Sequence, residues 1–416
     1  MSQAKSQPIS KQLVWQAYKK VKANKGAAGI DNESLLLFES NLSANLYKLW
    51  NRMSSGSYFP PAVLKVEIPK KDGGVRVLGI PTVADRIAQM VVKMQLDPQL
   101  EPMFHNDSYG YRPRRSAHDA LATARKRCWR RDWVIDLDIK GFFDNLDHEL
   151  MMKAVCHHTE DQWVRMYVKR WLEAPMETAS GERTARKQGT PQGGVISPVL
   201  ANLFMHYAFD HWLERVYPTI QFVRYADDAL IHCRSLDEAE KLLEALKARL
   251  AECKLELHPV KTKIVYCKDD DRRKEYENMS FDFLGYTFRP RRAKNRYGKY
   301  FVSFLPAISK SSAQHIRDVI KGWRIPSKRN NQSLEQIANL INPTVRGWIN
   351  YYGKFYRSEA IKAIRYVERV LLKWVCRKFK RFRKRERKAT YWMGRIARRE
   401  PRLMVHWQIG LKPAIG

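Results

Sequence analysis

The chain has 416 residues, and its 76 Lys and Arg against 43 Asp and Glu give a formal net charge of +33. A field of that size repels cationic partners and attracts phosphate polymers or anionic membranes. The sequence has no long apolar run and no signal-peptide core, which argues against a membrane partner, and its polar N-terminus is typical of a cytoplasmic protein. Its six scattered cysteines, without a C-x-x-C pair, argue against a disulfide framework or a zinc finger.

The N-terminal part is predicted to contain helices and one hairpin. Residues 10–54 have the pattern of amphipathic helices around a glycine-rich kink at 25–31. Residues 62–80 predict a β-hairpin with a glycine-containing turn at 70–74. A cationic hairpin can close over a triphosphate, and the alternative is a solvated surface hairpin. Residues 82–104 then form a helical run.

An acidic strand follows at 133–139, where apolar and acidic residues alternate. Asp136 and Asp138 share one face of this strand because side chains repeat with a period of two. A polar face on an otherwise buried strand is costly unless a metal ion or a cation neutralises it. For Asp136 a salt bridge to a nearby arginine is favoured, which leaves Asp138 as the candidate metal ligand.

A glycine-rich loop lies between two helical stretches. Residues 150–175 are predicted to be helical, and residues 189–215 combine a turn with a helix. Paired glycines let a backbone approach a ligand closely, and Gln192 offers both a donor and an acceptor. Such a loop can lie beneath a nascent base pair, although the pattern also fits a generic turn.

Two adjacent acids, Asp227 and Asp228, lie between the β-rich runs 221–224 and 229–233. This pattern predicts a hairpin with the acids at its tip. Neighbouring side chains of a strand point to opposite faces, so both acids can meet one metal cluster only at such a turn. An exposed acidic turn is the alternative, but a third acid at Asp138 favours catalysis. Three carboxylates suit a pair of Mg²⁺ ions, which activate an attacking hydroxyl and stabilise a leaving pyrophosphate.

The next elements are ordinary packing elements. Residues 236–255 predict a packing helix, and 264–267 and 283–288 predict strands. His258 is interpreted as structural rather than catalytic. The segment 289–300, rich in Arg, Lys and Tyr, is predicted to be an exposed basic connector between domains.

The C-terminal part is predicted to be a helical bundle. Ser333 caps one helix, Pro343 restarts the pattern, and Ser358 caps a third helix that reaches Val375. Residues 373–402 contain fourteen Lys or Arg with interleaved aromatic residues. Solvated basic helices are common, but basic residues beside rings that can stack on bases favour RNA binding.

From about Lys22 onward the chain resembles group II intron-encoded reverse transcriptase/maturases, because similar stretches occur in the family's order. These stretches are 26–31 for the N-terminal extension, 76–81 with Asp85 and Arg86 for the first finger block, 108–113 with 116–118 for the second, 138–144 and 225–228 for the catalytic motifs, 190–198 for the template–primer loop, 283–285 for the block before the thumb, and 341–348 with Tyr351 and Tyr352 for the maturase thumb. The last stretch separates this family from most other reverse transcriptases.

The resemblance implies an α+β right-hand polymerase of fingers, palm and thumb, with an antiparallel palm sheet and an all-helical thumb/maturase bundle. Its expected domains are an N-terminal extension (1–55), reverse transcriptase fingers and palm (56–290), and the thumb with basic C-terminal helices (291–416). Relatives often carry an H-N-H endonuclease after the thumb. This sequence has no matching His/Asn cluster, so it resembles the compact class, which is expected not to cut the second DNA strand itself.

The resemblance also implies a set of site residues. Catalysis and metal binding are expected at Asp138, Asp227 and Asp228, with Ile139 included in the metal-binding set. The dNTP-binding residues are expected to be Lys70, Arg76, Phe142, Phe143 and Gln192. Phe143 would exclude a 2′-hydroxyl by its bulk. Template–primer and RNA contacts are expected at Gly193, Gly194, Tyr225, Lys261, Arg346, Trp348, Lys378 and Arg381.

The implied activity is RNA-directed DNA synthesis with two Mg²⁺ ions, for which Mn²⁺ can substitute. The protein would also bind group II intron RNA and assist its splicing and its mobility by target-primed reverse transcription. Its expected partners are intron RNA, a DNA target or primer and dNTPs, without a membrane. A homodimer is one of the expected assemblies. The expected location is the cytoplasm of a bacterial-type cell, with association with the nucleoid during intron mobility.

Two alternatives stay open. One is a non-catalytic splicing cofactor that keeps the fold, which the intact set of three acids disfavours. The other is a host-adopted reverse transcriptase in defence or repair. It needs the same residues, so the sequence does not separate it from an intron enzyme.

Overall fold

The computed structural model describes residues 7–69 and 74–414. The described chain divides into two compact units. The first unit contains the described residues up to Ala120 together with Ile135–Ile264, and the second contains Leu121–Val134 and the described residues from Val265 onward. Across both described ranges, every helix is too short or too polar to cross a bilayer.

Helices and strands alternate irregularly up to residue 266. The helices are α1 (Lys11–Ala23), α2 (Leu35–Ser40), α3 (Leu42–Ser54), α4 (Val83–Leu100), α5 (Ala117–Cys128), α6 (Phe142–Asn145), α7 (His148–His158), α8 (Gln162–Glu173), α9 (Ser197–Met205), α10 (His211–Val216) and α11 (Leu236–Glu252). The strands are β1 (Val63–Pro69), β2 (Val75–Ile80), β3 (Trp133–Leu137), β4 (Met176–Glu177), β5 (Arg183–Thr184), β6 (Gln221–Tyr225), β7 (Asp228–Cys233) and β8 (Lys263–Tyr266).

The predicted N-terminal hairpin is confirmed. Strands β1 and β2 pair antiparallel, with Leu64 opposite Ile80 and Pro69 opposite Val75. They belong to a four-stranded sheet of order β2-β1-β4-β5, in which β1 and β4 are parallel. Of the predicted turn, residues 70–73 lie outside the described part of the chain.

The second four-stranded sheet has the order β6-β7-β3-β8 and carries the predicted acidic residues. Helix α11 packs against β7, and its buried residues include a stripe of three leucines, Leu242, Leu246 and Leu250. Their spacing of four residues places them on one face of the helix. Full burial of each leucine stabilises the fold by about 1.5–3 kcal/mol, which helps to hold α11 in place.

Helices α9 and α10 are joined by a π-helical turn, His206–Asp210. A π-helical turn inserts an extra residue and shifts the direction of the side chains around it. Here Asp210 is completely buried. It forms an ion pair with Arg224 of β6.

The second unit contains a three-stranded antiparallel sheet and a helical bundle. The sheet has the order β11-β10-β9, formed by β9 (Phe281–Phe283), β10 (Tyr286–Lys294) and β11 (Tyr300–Ile308). The helices are α12 (Lys310–Gly322), α13 (Ile325–Lys328), α14 (Leu334–Tyr352), α15 (Arg357–Ile364), α16 (Tyr366–Lys378), α17 (Glu386–Arg399) and α18 (Val405–Gln408). One apolar core joins these helices, and Trp374 and Trp407 are almost completely buried in it.

The prediction of an exposed basic connector at 289–300 is wrong in its structure, although the segment is mostly exposed. It forms the end of β10, a turn, and the first residue of β11. The turn is stabilised because Asn295 Oδ1 accepts hydrogen bonds from the backbone N–H groups of Tyr297 and Lys299. Gly298, at φ +85°, supplies the left-handed residue.

The helical bundle confirms one predicted helix start and corrects two others. Ser333 caps α14 and forms a capping box with Gln336, as an N-terminal Ser with Gln at the third helical position favours. Pro343 does not restart a helix but lies inside α14, because the buried stripe through Ile341 and Val345 continues past it.

The third predicted helix is in fact two helices. Helix α15 begins at Arg357, one residue before Ser358, and ends at Ile364. Helix α16 begins at Tyr366. The apolar periodicity alone did not show the break between them.

Candidate active site

The paired acids lie in a tight hairpin turn, as predicted. Strands β6 and β7 are antiparallel, and Tyr225 pairs with Asp228, so Ala226 and Asp227 form a two-residue turn. Ala226 has φ +60°, which is the left-handed region. For a residue other than glycine this conformation costs about 1–2 kcal/mol, so other contacts must hold the turn.

A buried ion pair supplies those contacts. Arg224 and Asp210 are both completely buried, and the guanidinium donates to the two carboxylate oxygens at 2.7 and 2.5 Å. The remaining nitrogen, Nη1, donates to the carbonyl oxygen of Ala226 at 2.8 Å and to Oδ1 of Asn202 at 3.1 Å. Arg224 therefore connects the π-helical turn directly to Ala226, the strained residue of the β6–β7 turn.

The segment before α5 lies against the same turn. Tyr109 N–H donates to the carbonyl of Arg224 at 2.8 Å, and Asn202 Nδ2 donates to the carbonyl of Gly110 at 2.7 Å. A Cβ atom on Gly110 would lie 2.3 Å from the backbone nitrogen of Ala226. Only glycine permits this close approach.

Asp138 follows β3 and is held through its backbone. Its carbonyl accepts hydrogen bonds from His258 N–H at 2.8 Å and from Thr262 Oγ1 at 3.1 Å. His258 Nδ1 in turn accepts from the backbone N–H groups of Val260 and Lys261, each at 3.3 Å. These contacts give His258 the structural role that the sequence predicts for it.

The three acids influence each other electrostatically. Burial raises the pKa of Asp227, and the charge of Asp138 raises it further. Asp228 retains solvent contact, but protein atoms around its carboxylate reduce its hydration, and with Asp227 and Asp138 they raise its pKa to about 7. Lys261 and Arg76 act in the opposite direction. Asp138 is therefore near enough to Asp227 and Asp228 to disfavour their ionisation, a cost that a multivalent cation relieves.

The donor set fits a hard divalent cation by its chemistry. Asp138, Asp227 and Asp228 offer carboxylate oxygens, the ligands that Mg²⁺ prefers. Within residues 7–69 and 74–414, no group of three or more His, Cys, Asp or Glu side chains is already arranged around a metal position. The fit thus rests on the type of ligand and on the mutual repulsion of the acids.

Other predicted residues surround the acids. The charge of Arg76, on β2, lowers the pKa of Asp227 and Asp228. Tyr225 is half-buried, with its ring centroid 6.5 Å from that of Tyr111. Lys70 lies outside the described residues.

The two phenylalanines after Asp138 differ in exposure. Phe142 is 2% exposed, whereas Phe143 is half-buried, and their ring centroids are 5.3 Å apart. The carbonyl of Phe143 accepts from Thr190 N–H at 2.8 Å, which attaches the glycine-rich loop to α6. Ile139 is 4% exposed and forms a β-bridge with Leu257.

The glycine-rich loop is also attached to β2 and α4. Gly79 N–H donates to the carbonyl of Gln192 at 2.9 Å, and a Cβ atom on Gly193 would lie 2.8 Å from the Gly79 oxygen. Gln89 Oε1 accepts from the N–H groups of Val195 and Ile196 at 2.7 and 3.2 Å. Gly194 packs beside Gln89 as well, since an added Cβ atom would lie 3.3 Å from the same oxygen.

Asp85 holds Gln89 in place. Its Oδ2 accepts from Gln89 Nε2 at 2.9 Å, and its Oδ1 accepts from Tyr58 Oη at 2.8 Å and Trp171 Nε1 at 2.7 Å. Burial raises the pKa of Asp85 to about 6 and outweighs these donors. Sequence reasoning missed this network. An acid and an amide four residues apart on one face of an apolar helix were its only signal.

The RNA-binding residues predicted in the second unit lie in different surroundings. Arg346 is exposed on α14, and Trp348 stacks on Trp323 with centroids 5.7 Å apart. Lys378 Nζ donates to two backbone carbonyls of the loop between α13 and α14, at 2.5 and 2.9 Å. The guanidinium of Arg381 lies over three aromatic rings.

Residues 68–288 match the family described as reverse transcriptase (RNA-dependent DNA polymerase), which is more than half of the chain. The chain belongs to the reverse transcriptase family. Residues 313–392 match the group II intron, maturase-specific domain. The predicted α+β polymerase fold is confirmed, as are the predicted activity of an RNA-directed DNA polymerase and its role in intron splicing and mobility.

Individual relatives are moderately similar. The chain is 31% identical over 325 residues to Protein YkfC of Escherichia coli (strain K12), covering 68% of this chain and 82% of that protein. It is 27% identical over 427 residues to the Group II intron-encoded protein LtrA of Lactococcus lactis subsp. cremoris, covering 82% and 68%. The Putative COX1/OXI3 intron 1 protein of Saccharomyces cerevisiae is 27% identical over 242 residues, 58% of this chain and 28% of that protein.

Proposed function

We propose that Asp138, Asp227 and Asp228 hold two divalent metal ions and that the site extends a primer from dNTPs on an RNA template. The two-residue turn that brings Asp227 and Asp228 together carries this proposal, and Asp138, from a distant part of the chain, is near enough for its charge to raise the pKa of both. Bound Mg²⁺, or Mn²⁺ in its place, supplies activation of the primer hydroxyl and neutralisation of the leaving pyrophosphate. Ile139, directly after Asp138, completes the proposed metal-binding set.

The surrounding side chains select and orient the nucleotide. Arg76 and Lys70 bind the triphosphate, the arginine as a fork and the lysine as a point charge. Phe143 excludes a 2′-hydroxyl by its bulk, whereas the buried Phe142 supports it from the core. Gln192 positions the nascent pair from a loop whose backbone is attached to β2.

The primer and the template lie on the surface around the turn. Gly193 and Gly194 permit close approach of the backbone, Tyr225 lies beside the catalytic acids, and Lys261 assists the leaving phosphate. A homodimer stays a prediction.

Structured RNA is assigned to the ends of the chain. The proposed domains are the N-terminal extension (1–55), fingers and palm (56–290) and thumb (291–416). Intron RNA binds the extension and the thumb, the latter through Arg346, Trp348, Lys378 and Arg381. In this arrangement the protein assists splicing and then copies the intron RNA from a primer in the DNA target.

The test is primer extension on an RNA template with the wild-type chain and Asp227→Ala. The wild type should synthesise DNA, and Asp227→Ala should lose roughly 10³-fold or more of the rate. Asp237→Ala is the matched control, because Asp237 is an exposed acid on α11 paired with Lys241. A wild-type chain that promotes intron splicing but makes no DNA would contradict the proposal and favour the splicing cofactor.

A further inference from the structure

The second unit carries a two-stranded extension that contains none of the residues proposed above for the polymerase site. Strands β10 and β11 pair over nine residues, from Tyr286 opposite Ile308 to Lys294 opposite Tyr300. Strand β9 pairs with β10 only as far as Phe288. Residues 289–305 therefore form a hairpin that continues beyond the third strand, and we name it the basic ribbon.

The charged residues of the basic ribbon are all positive. It contains Arg or Lys at 289, 291, 292, 294, 296 and 299, without any Asp or Glu. All of these except Arg291 are exposed. A run of cations is often only a solvated surface, so the placement of the aromatic residues decides what it can bind.

The register places an exposed ring between two of the cations. Lys294 is opposite Tyr300 and Arg292 is opposite Val302, so these side chains share one face. Tyr300 is 55% exposed, with the Arg292 guanidinium 4.0 Å and the Lys294 ammonium 5.6 Å from its ring centroid. Both cations lie over the Tyr300 ring, so this face combines an exposed ring for stacking with two phosphate-binding cations in contact with it.

The base of the ribbon is fixed within the second unit. Arg291 turns inward, where its Nε and Nη2 donate to the carbonyls of Leu305 and Thr287, both at 3.2 Å. Tyr356 Oη donates to the carbonyl of Arg292 at 2.7 Å. The exposed cations are thus carried on a hydrogen-bonded backbone, which reduces the entropy lost on binding.

We propose that the basic ribbon binds RNA that contains unpaired nucleotides, with one base stacked on Tyr300 and neighbouring phosphates on Arg292 and Lys294. Unpaired RNA bases stack on tyrosine, whereas bases within a duplex are already stacked on each other. This inference deepens the proposed RNA binding and rests on it, but it does not depend on the metal site. It also adds an RNA surface separate from the helical residues assigned above.

The experiment is an affinity titration of the full chain against an RNA hairpin with an unpaired loop and against a blunt RNA duplex of equal length. Tyr300→Ala should weaken binding of the looped RNA about tenfold and leave duplex binding unchanged. Tyr300→Phe, which keeps the ring, should bind like the wild type. Equal losses for both RNAs, or no loss for either, would overturn the proposal.

The cations are tested by the salt dependence. The Arg292→Ala/Lys294→Ala double variant should weaken looped RNA binding and reduce the slope of log affinity against log salt by about 1.4, since each single-stranded phosphate contact contributes roughly 0.7. The matched control is Lys241→Ala/Lys247→Ala on α11, which removes the same charge and should leave the slope unchanged. An unchanged slope in the ribbon variant would contradict the assignment.

Two further measurements separate this proposal from the polymerase assignment. Asp227→Ala should bind looped RNA like the wild type, because its lesion is confined to catalysis. The ribbon variants should keep full primer-extension rates on a short, saturating primer–template, which also shows that they are folded. A DNA hairpin of the same sequence is the last arm, and an effect of Tyr300→Ala confined to DNA would reject RNA as the ligand.

Discussion

The acidic turn between β6 and β7 and the basic ribbon between β10 and β11 both belong to antiparallel hairpins, yet they are built on opposite principles. The turn connects its strands through two residues, carries acids and is held by a buried ion pair. The ribbon is long, exposed and cationic, and its charges face water. A buried polar network fixes one geometry and fails as a unit, whereas exposed charges act by small, separable amounts. Mutations should therefore have steep effects in the turn and graded effects in the ribbon.

The largest expected effect is at Asp138. We expect Asp138→Asn to reduce DNA synthesis by roughly 10³-fold or more, because it removes a carboxylate charge from the metal set. RNA affinity should stay near the wild-type value, since Asp138 is not among the residues proposed to contact RNA. Primer extension and a gel-shift assay measure the two quantities. Equal losses in both would show that the two functions are not separable.

The buried pair beneath the turn should give the next largest effect. Arg224→Met leaves Asp210 buried without its partner. We therefore expect the free energy of unfolding, measured in denaturant, to fall by about 3–5 kcal/mol. Arg224→Met/Asp210→Leu removes both charges and should recover most of that stability. It should not recover DNA synthesis, because the carbonyl of Ala226 still lacks its donor. A fully active double variant would show that Arg224 acts only on stability.

The pH dependence of stability tests the loop network around Asp85. Its pKa is raised to about 6 from an ordinary 3.8, so the folded state holds the proton more tightly than the unfolded state. The contribution of Asp85 to the free energy of unfolding is fully present below pH 3.8 and is lost as the pH rises through 6. The free energy of unfolding should fall by roughly 3 kcal/mol across this range. Asp85→Asn should remove this dependence in denaturation curves from pH 4 to 7. An identical pH profile in the variant would assign the dependence to other groups.

A substitution of Phe143, in α6, should change the selectivity of the polymerase between ribonucleotides and deoxyribonucleotides. We expect Phe143→Ala to raise ribonucleotide incorporation about tenfold relative to dNTPs, because the steric block to the 2′-oxygen is removed. Competition between matched ribo- and deoxyribonucleotides during primer extension measures this ratio. Phe143→Tyr is the control, because it keeps the ring and should leave the selectivity unchanged. Unchanged selectivity in Phe143→Ala would exclude that ring as the gate.

The smallest expected effect is at the tip of the ribbon. Lys299→Ala should weaken RNA binding only about two- to threefold and reduce the salt slope by about 0.7, as expected for one exposed phosphate contact. Fluorescence anisotropy at several salt concentrations resolves such a change. A loss as large as that at Tyr300 would show that the ribbon, like the turn, acts as one unit.

The sequence predicted elements whose signals are local. The β-rich runs of β6 and β7, the glycine-rich loop and the cap at Ser333 each depend on a few neighbouring residues. The acids could be proposed for the same reason, because two of them are adjacent and the third lies in the alternating run 133–139.

The supporting contacts could not be predicted, because their partners are distant along the chain. Gln89 accepts from residues 106 and 107 positions later, and Arg224 meets Asp210 only because a π-helical turn directs that acid inward. The basic ribbon was missed for another reason. Charged residues on both faces of β10 hide the alternation by which a strand is normally detected.

Gly110 has a consequence for protein engineers. Replacing glycines with alanine is a common route to thermostable variants, and Gly110 is a tempting target because its backbone is not in the left-handed region. However, the added methyl group would collide with the backbone nitrogen of Ala226 and displace the strained turn between β6 and β7. Heat-resistant forms of this polymerase should therefore be sought elsewhere, for example at Gly322 and Gly347, where an added methyl group meets no neighbouring atom.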